Sequence, residues 1–333
     1  MIPVTVLTGF LGSGKTTLLA RLVQSPQFAR TAVIVNELGE VGIDHHLVEV
    51  AEESFVKLDT GCICCEARGD IEAALADLVA RRRNGALPPF ERIVIETSGA
   101  ADPAPLLNAV MAETGRDGAI VLDGVVTTVD AVNGRATLLR EPQSVRQVAV
   151  ADRLVITKTD LTGGSHDPAL LAHLDALNPR AARLVAIDGD IAAAALIGDS
   201  GAGGASAEWR AALQVMPPPA PHDAEIGCIV VRRTDPLPAV SLTLLLEALA
   251  DHCGSDLLRL KGIVHVAEQP DRPAVVHGVQ HVFHAPRWLD RWPSEDHSTR
   301  LVLIGRGLSR LWVESLIDAL VAEVTEIAAQ PVV

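Results

Sequence analysis

Lysine is scarce in this chain: only Lys15, Lys57, Lys158 and Lys261 occur, against 24 arginines. Genome composition is one reading of that bias; the other is that, where arginine is the default cation, a remaining lysine marks a place where a compact point charge is wanted. Positive charge is short as well. The formal net charge is −14, which argues against non-specific binding to nucleic acid or to an anionic membrane surface. No run of about 18 apolar residues appears, which excludes a bilayer-spanning helix. The start, "MIPVTVLTG", passes straight into a glycine-rich loop and leaves no room for a signal peptide, so the expected compartment is the cytoplasm. Thiols stay reduced there, and an odd count of five cysteines is no disulfide framework.

What is present is a large apolar fraction, 48% of 333 residues, ample for a core and long enough for two domains. Over the first 200 residues, strand-like runs ("VTVLT", "TAVIVN", "RIVIET", "GVVTTVDA", "RLVIT", "RLVAI") alternate with helical stretches such as "KTTLLARLVQ" and "RGDIEAALADLVARRR". Buried parallel strands with covering helices give that pattern. The expected fold is α/β, a mostly parallel sheet with helices on both faces, followed by a smaller α+β domain. A Gly, Ser and Pro-rich stretch, "DSGAGGAS" to "MPPPAPHDAE", reads as loop and linker. The expected boundaries are residues 1–215, a linker at 216–225, and 226–333.

"GFLGSGKT", Gly9 to Thr16, fits the phosphate-binding pattern G-x-x-x-x-G-K-[ST], between a predicted strand and a predicted helix. Gly9, Gly12, Ser13, Gly14, Lys15, Thr16 and Thr17 are the candidate nucleotide ligands. Lys15 would reach the β- and γ-phosphates, and the Thr16 hydroxyl would ligate Mg²⁺. "ETSG" closes another strand. Glu96 there would hold Mg²⁺ through water, and Gly99 would offer a backbone N–H to the γ-phosphate. "TKTD" ends the strand "RLVIT". Asp160 can accept two hydrogen bonds from guanine that adenine lacks the donors to make, and the Lys158 stem would lie over the base. Thr157 stands where the usual GTPase form has Asn, a weaker hydrogen-bonding group, so Asn at 157 is expected to tighten GTP binding.

"GCICC" places Cys62, Cys64 and Cys65 within four positions. If the backbone turns there, aided by Gly61, three thiolates suit Zn²⁺ or Co²⁺ with a fourth position open. Redox chemistry and plain structural thiols are the alternatives. The cluster lies between "NELGEVGID", a segment with switch character, and Glu96. Glu37 and Glu40 in that segment are candidates to hold Mg²⁺, position the attacking water or ligate the carried metal, with solvated loop carboxylates as the alternative. His45 and His46 rank lower. "AVVHGVQHVFH" reads as one strand, in which His277 and His281 share a face and His284 takes the other; sheet packing outranks metal there. Cys228 and Cys253 read as buried apolar thiols.

In their order, "GFLGSGKTT", "VIVNELGEVGID", "GCICC", "ETSG" and "TKTD" resemble the CobW-like metallochaperone GTPases, relatives of the nickel-delivery GTPases of urease and hydrogenase maturation. "RLKGIVHV" and "HGVQHVFH" resemble that family's C-terminal domain, so the likeness covers nearly the whole chain. It implies slow GTP hydrolysis coupled to delivery of a transition metal, often zinc or cobalt, to a client metalloprotein. With only His222 in the linker, no accessory metal-collecting tail is expected. Two other functions share parts of the pattern. A P-loop small-molecule kinase shares the phosphate loop but gives no reason for "TKTD" or the cysteines. A nucleotide-gated metal sensor or buffer shares everything except the client.

Overall fold

A computed structural model describes residues 1–36, 56, 57, 63–66, 71–164, 167–196 and 226–329. The chain divides into two compact units, Met1–Asp175 with Ala181–Ala202, and Ala176–Arg180 with Gly203–Val333. The expected linker at 216–225 lies outside the described residues.

The first unit is built on an eight-stranded sheet. Its strands are β1 (Ile2–Gly9), β2 (Thr31–Asn36), β3 (Val56–Lys57), β4 (Ile63–Glu66), β5 (Arg92–Thr97), β6 (Ile120–Asp130), β7 (Arg153–Thr157) and β8 (Ala182–Val185). Their order is β3-β4-β2-β5-β1-β6-β7-β8, every pairing parallel except β3 with β4. The helices are α1 (Lys15–Val23), α2 (Ile71–Arg83), α3 (Ala104–Asp117), α4 (Gly134–Arg140), α5 (Pro142–Ala149), α6 (Pro168–Leu177) and α7 (Ala193–Leu196).

Strand alternation explains why both faces are covered. Leu7, Val33, Val35 and Val94 pack against Leu18, Leu19 and Leu22 of α1. The alternate positions Val6, Ile34, Ile93 and Ile95 are equally buried, while α3 packs on β6 and α5 on β1. In α2 the buried residues Ile71, Leu75, Leu78 and Val79 recur at helical spacing, and Arg81, Arg82 and Arg83 complement the dipole at its end. Nucleotide ligands in such folds gather at the carboxyl ends of the strands, and β1, β5 and β7 end there in Gly9, Thr97 and Thr157.

The second unit is an antiparallel sheet of β9 (Gly227–Arg233), β10 (Leu257–Val264), β11 (Ala274–Val279), β12 (Val282–Phe283), β13 (Arg287–Trp288) and β14 (Thr299–Gly305). Helices α8 (Ala239–Cys253) and α9 (Arg310–Ala329) join it in a core of Leu242, Leu245, Leu249, Leu260, Leu301, Leu303, Val313 and Ile317. Among the described residues no helix is long and apolar enough to cross a membrane.

Two local expectations are corrected. "AVVHGVQHVFH" is a hairpin, not one strand. Val279 pairs with Val282 across a tight turn in which Gln280 takes a left-handed φ of 53°. The turn puts His284 opposite His277, its N–H donating to the His277 carbonyl at 3.1 Å, and leaves His281 exposed at the tip. The second correction lies at the cysteines. Residues 63–66 are an extended strand rather than a turn, paired parallel to β2.

Candidate functional site

Between β1 and α1 the chain makes a tight loop whose backbone favours glycine at three places. Gly9, Gly12 and Gly14 take φ of 141°, 72° and 91°. At Gly9 space forbids a side chain as well, since a Cβ would stand 2.3 Å from Thr128 Oγ1 and 2.8 Å from Ser13 Oγ. Gly14 precedes α1 and no side chain caps that helix. Its first N–H groups therefore face the loop, where the helix dipole favours an anion. Lys15 is buried and reaches back over the loop, with Nζ donating to the Phe10 carbonyl at 3.4 Å.

Thr16 Oγ1 donates to Glu96 Oε1 at 2.7 Å, and Glu96 is wholly buried. This brings together the two groups expected to hold Mg²⁺. A hydroxyl and a carboxylate at the end of a phosphate loop are the hard oxygen donors that ion takes, so the residues fit it. Beyond Glu96, the Gly99 backbone presses on the loop: a Cβ there would lie 2.8 Å from Leu11 N and Cα.

Thr157, at the end of β7, is buried, and its hydroxyl donates to the Ser13 carbonyl at 2.7 Å with Val129 O at 3.2 Å. The side chain is committed to the phosphate loop. Lys158 takes a left-handed φ of 58°, and its Nζ meets Asp130 Oδ2 at 2.8 Å. Burial pushes the Asp130 carboxyl up. The Lys158 contact, the Asn133 and Val132 N–H groups and the Asn133 amide outweigh it and hold the group below its ordinary value. Asp160 stands exposed on the turn Thr159–Thr162. A cavity of about 290 Å³ lies beside the loop, lined among others by Ser13, Thr128, Asp130, Asn133, Gln147 and Lys158.

Sequence reasoning passed over Thr128, Asp130 and Gln147. A carboxylate closing the strand "VVTTVDA" is the signal that would have found Asp130. For Thr128 and Gln147 only the fold shows their place.

Cys64 and Cys65 lie in β4, in register with Val33 and Ile34 of β2, which are in register with Val94 and Ile95 of β5. The Cys65 backbone is therefore two strand spacings, about 10 Å, from the row that leads into Glu96. Cys62, Glu37, Glu40, His45 and His46 lie outside the described residues. Among the described residues no group of three His, Cys, Asp or Glu could hold a metal ion. In the second unit burial holds His284 below its usual value and pushes the Cys228 thiol up to about 11. Cys228 and Cys253 are half-buried rather than fully buried.

A parallel sheet whose first strand feeds a glycine loop and an uncapped helix, with a hydroxyl–carboxylate pair at the loop's end, defines a P-loop nucleotide hydrolase. The chain belongs to the CobW family: residues 3–185 match the CobW/HypB/UreG nucleotide-binding domain and residues 226–321 the cobalamin synthesis protein cobW C-terminal domain. It is 33% identical over 309 residues to the zinc chaperone YjiA of Escherichia coli, covering 91% of this chain and 94% of that one. To the zinc chaperone CobW of Pseudomonas aeruginosa it is 34% identical over 343 residues, 93% of this chain and 88% of the other. The crystal structure of the Zn(II)-bound YjiA GTPase from E. coli matches with a TM-score of 0.72 at 30% identity, covering 96% of this chain and 98% of that one.

Proposed function

We propose that the chain is a cytoplasmic GTPase that carries zinc to a client metalloprotein, its grip on the ion set by the nucleotide. The carrying observation is the contact between Thr16 and Glu96, 2.7 Å apart at the end of the phosphate loop, on the sheet that also holds Cys64 and Cys65 in β4. Family membership and the zinc chaperones among its relatives support the same reading.

Lys15 swings from the Phe10 carbonyl onto the β- and γ-phosphates. The α1 N–H groups and those of Gly12, Ser13 and Gly14 bind phosphate oxygens, with Thr17 beside them. Thr16 and, through water, Glu96 would hold Mg²⁺, which would supply positive charge against the charge developing on the phosphates. Gly99 presents its N–H to the γ-phosphate. Asp160 accepts from guanine, and Lys158, steadied by Asp130, lies along the base. Glu37 orients the attacking water. Cys62, Cys64 and Cys65 take up the Zn²⁺ cargo, with Co²⁺ an alternative occupant and Glu37 and Glu40 as further oxygen ligands. The GTPase unit covers residues 1–215 and the client-facing unit 226–333, joined by 216–225.

The test is GTP hydrolysis by the purified protein with Mg²⁺, alone and against ATP as competitor. Lys15→Ala should cost about 100-fold or more, as removal of a transition-state charge contact does. Equal binding of ATP and GTP, or normal turnover by Lys15→Ala, would refute the assignment.

A further inference from the structure

The loop Ser98–Pro103 follows Glu96 and touches the phosphate loop through Gly99. It is also gripped from behind by consecutive residues of α5. Gln147 Nε2 donates to two backbone carbonyls, Gly99 O at 3.1 Å and Ala101 O at 3.0 Å. Arg146 Nη1 pairs with Asp102 Oδ2, while Asp102 Oδ1 accepts the Ala104 N–H at 3.0 Å.

The helix making that grip is itself fixed to β6. Thr127 Oγ1 donates to the Gln147 carbonyl at 2.8 Å. The next residue, Thr128, is bonded to Ser13 Oγ at 2.6 Å. Neighbouring threonines of one strand, pointing to opposite faces, thus hold the phosphate loop on one side and α5 on the other. The phosphate loop and the loop that carries Gly99 share one reference strand.

Gln147 is fully buried, and its Oε1 has no hydrogen-bond partner among the described residues. A buried acceptor without a donor is costly and calls for a reason. Here the reason is geometric. Two carbonyls of one loop need two N–H groups from one neutral side chain, and turning the amide to satisfy Oε1 would release both.

We propose that Gln147, assisted by Arg146, is a positioning residue that sets the loop Ser98–Pro103 so that Gly99 meets the γ-phosphate. This rests on the GTPase reading above and adds a group whose side-chain N–H bonds go to the carbonyls of that loop. Its action should be specific to the triphosphate, because the group assigned to the γ-phosphate, Gly99, lies in the loop it holds.

The experiment compares wild type with Gln147→Met, which keeps the side chain's length and removes its donors. It reads kcat and KM for GTP, and affinities for GDP and a non-hydrolysable GTP analogue. Expected are a kcat lower by roughly 10- to 100-fold, the size of effect a small misplacement produces, GDP affinity unchanged, and analogue affinity weakened about 5-fold or more. A merely structural tie would lower the melting temperature and weaken both nucleotides alike, and that result overturns the proposal. So does a folded variant with wild-type kcat and a wild-type analogue-to-GDP ratio. If Gln147→Met does not fold, Arg146→Gln, at a half-exposed ion pair, decides by the same ratio. Wild type that neither hydrolyses GTP nor distinguishes analogue from GDP refutes the GTPase reading itself, before any variant is considered.

Discussion

Thr157 donates to the Ser13 carbonyl at 2.7 Å from a buried position and packs on Gly14, 3.5 Å from where a Cβ would sit. The residue that departs from the common GTPase pattern thus serves the phosphate loop, and base selection is predicted to rest on Asp160. Thr157→Val keeps the shape and strands the carbonyl, a loss of about 1–3 kcal/mol. It should lower the melting temperature and weaken GTP and GDP equally, with GTP-over-ATP preference intact. A variant that loses its preference for guanine would return Thr157 to the base. Asp130 makes a second case at this scale. Its folded pKa lies below the ordinary 3.8, so its contribution to stability is present above that value and lost as pH falls through the folded one. Asp130→Asn should therefore be less stable than wild type at pH 7, and the gap should close as pH drops below about 4. Thermal melts across that range measure it, and a constant gap would show that the ion pair with Lys158 contributes nothing.

The elements of the first unit were legible wherever burial and period agreed. "RLVIT" and "KTTLLARLV" became β7 and α1 at nearly the expected bounds because each carries one uninterrupted pattern. Where short segments pair through long-range partners, pattern failed. The four residues of β4 have no period of their own, and only alignment with β2 makes "ICCE" a strand. The hairpin at Val279 and Val282 was missed for a related reason, since Gln280 takes a left-handed turn without the usual glycine or asparagine. The consequence for the cysteines is mechanical. Because β4 pairs with β2 and β2 with the strand that carries Glu96, metal grip and nucleotide state are predicted to be coupled, by roughly 5–150-fold in affinity. Co²⁺ is the convenient probe, because thiolate charge-transfer absorption appears on binding. It should titrate at different concentrations in the GDP and GTP-analogue forms and vanish in Cys62→Ser/Cys64→Ser/Cys65→Ser. Equal affinity in both states would leave a metal site without a switch, and absorption surviving the triple substitution would place the metal elsewhere.

At the scale of the molecule, the division of labour follows from where the chemistry sits. Lys15, Thr16, Glu96, Gly99, Thr157 and Asp160 all belong to the first unit, as do Asp130 and Gln147. That unit has its own core around Leu18, Leu22, Val33, Val94 and Val155. The second unit closes a separate core, in which Leu245, Leu260, Leu303 and Val313 are fully buried. The sequence marks a change of composition near the expected linker, but it does not mark which residues of the second unit meet a client, since docking surfaces carry no period and no fixed spacing. The residues proposed for hydrolysis all lie before residue 215, and delivery as proposed needs a surface to meet the client. A chain ending at residue 215 should therefore fold, bind GTP and hydrolyse it within about a factor of two or three of the full chain, as independent units do when distant sites leave each other alone. Metal transfer to a client should be lost. Circular dichroism establishes folding, phosphate release gives the rate, and transfer from Zn²⁺-loaded protein to an apo-metalloprotein gives delivery. A folded 1–215 fragment without GTPase activity would make the second unit part of the catalytic machinery, and one that still delivers metal would move the client surface onto the sheet that holds the cysteines.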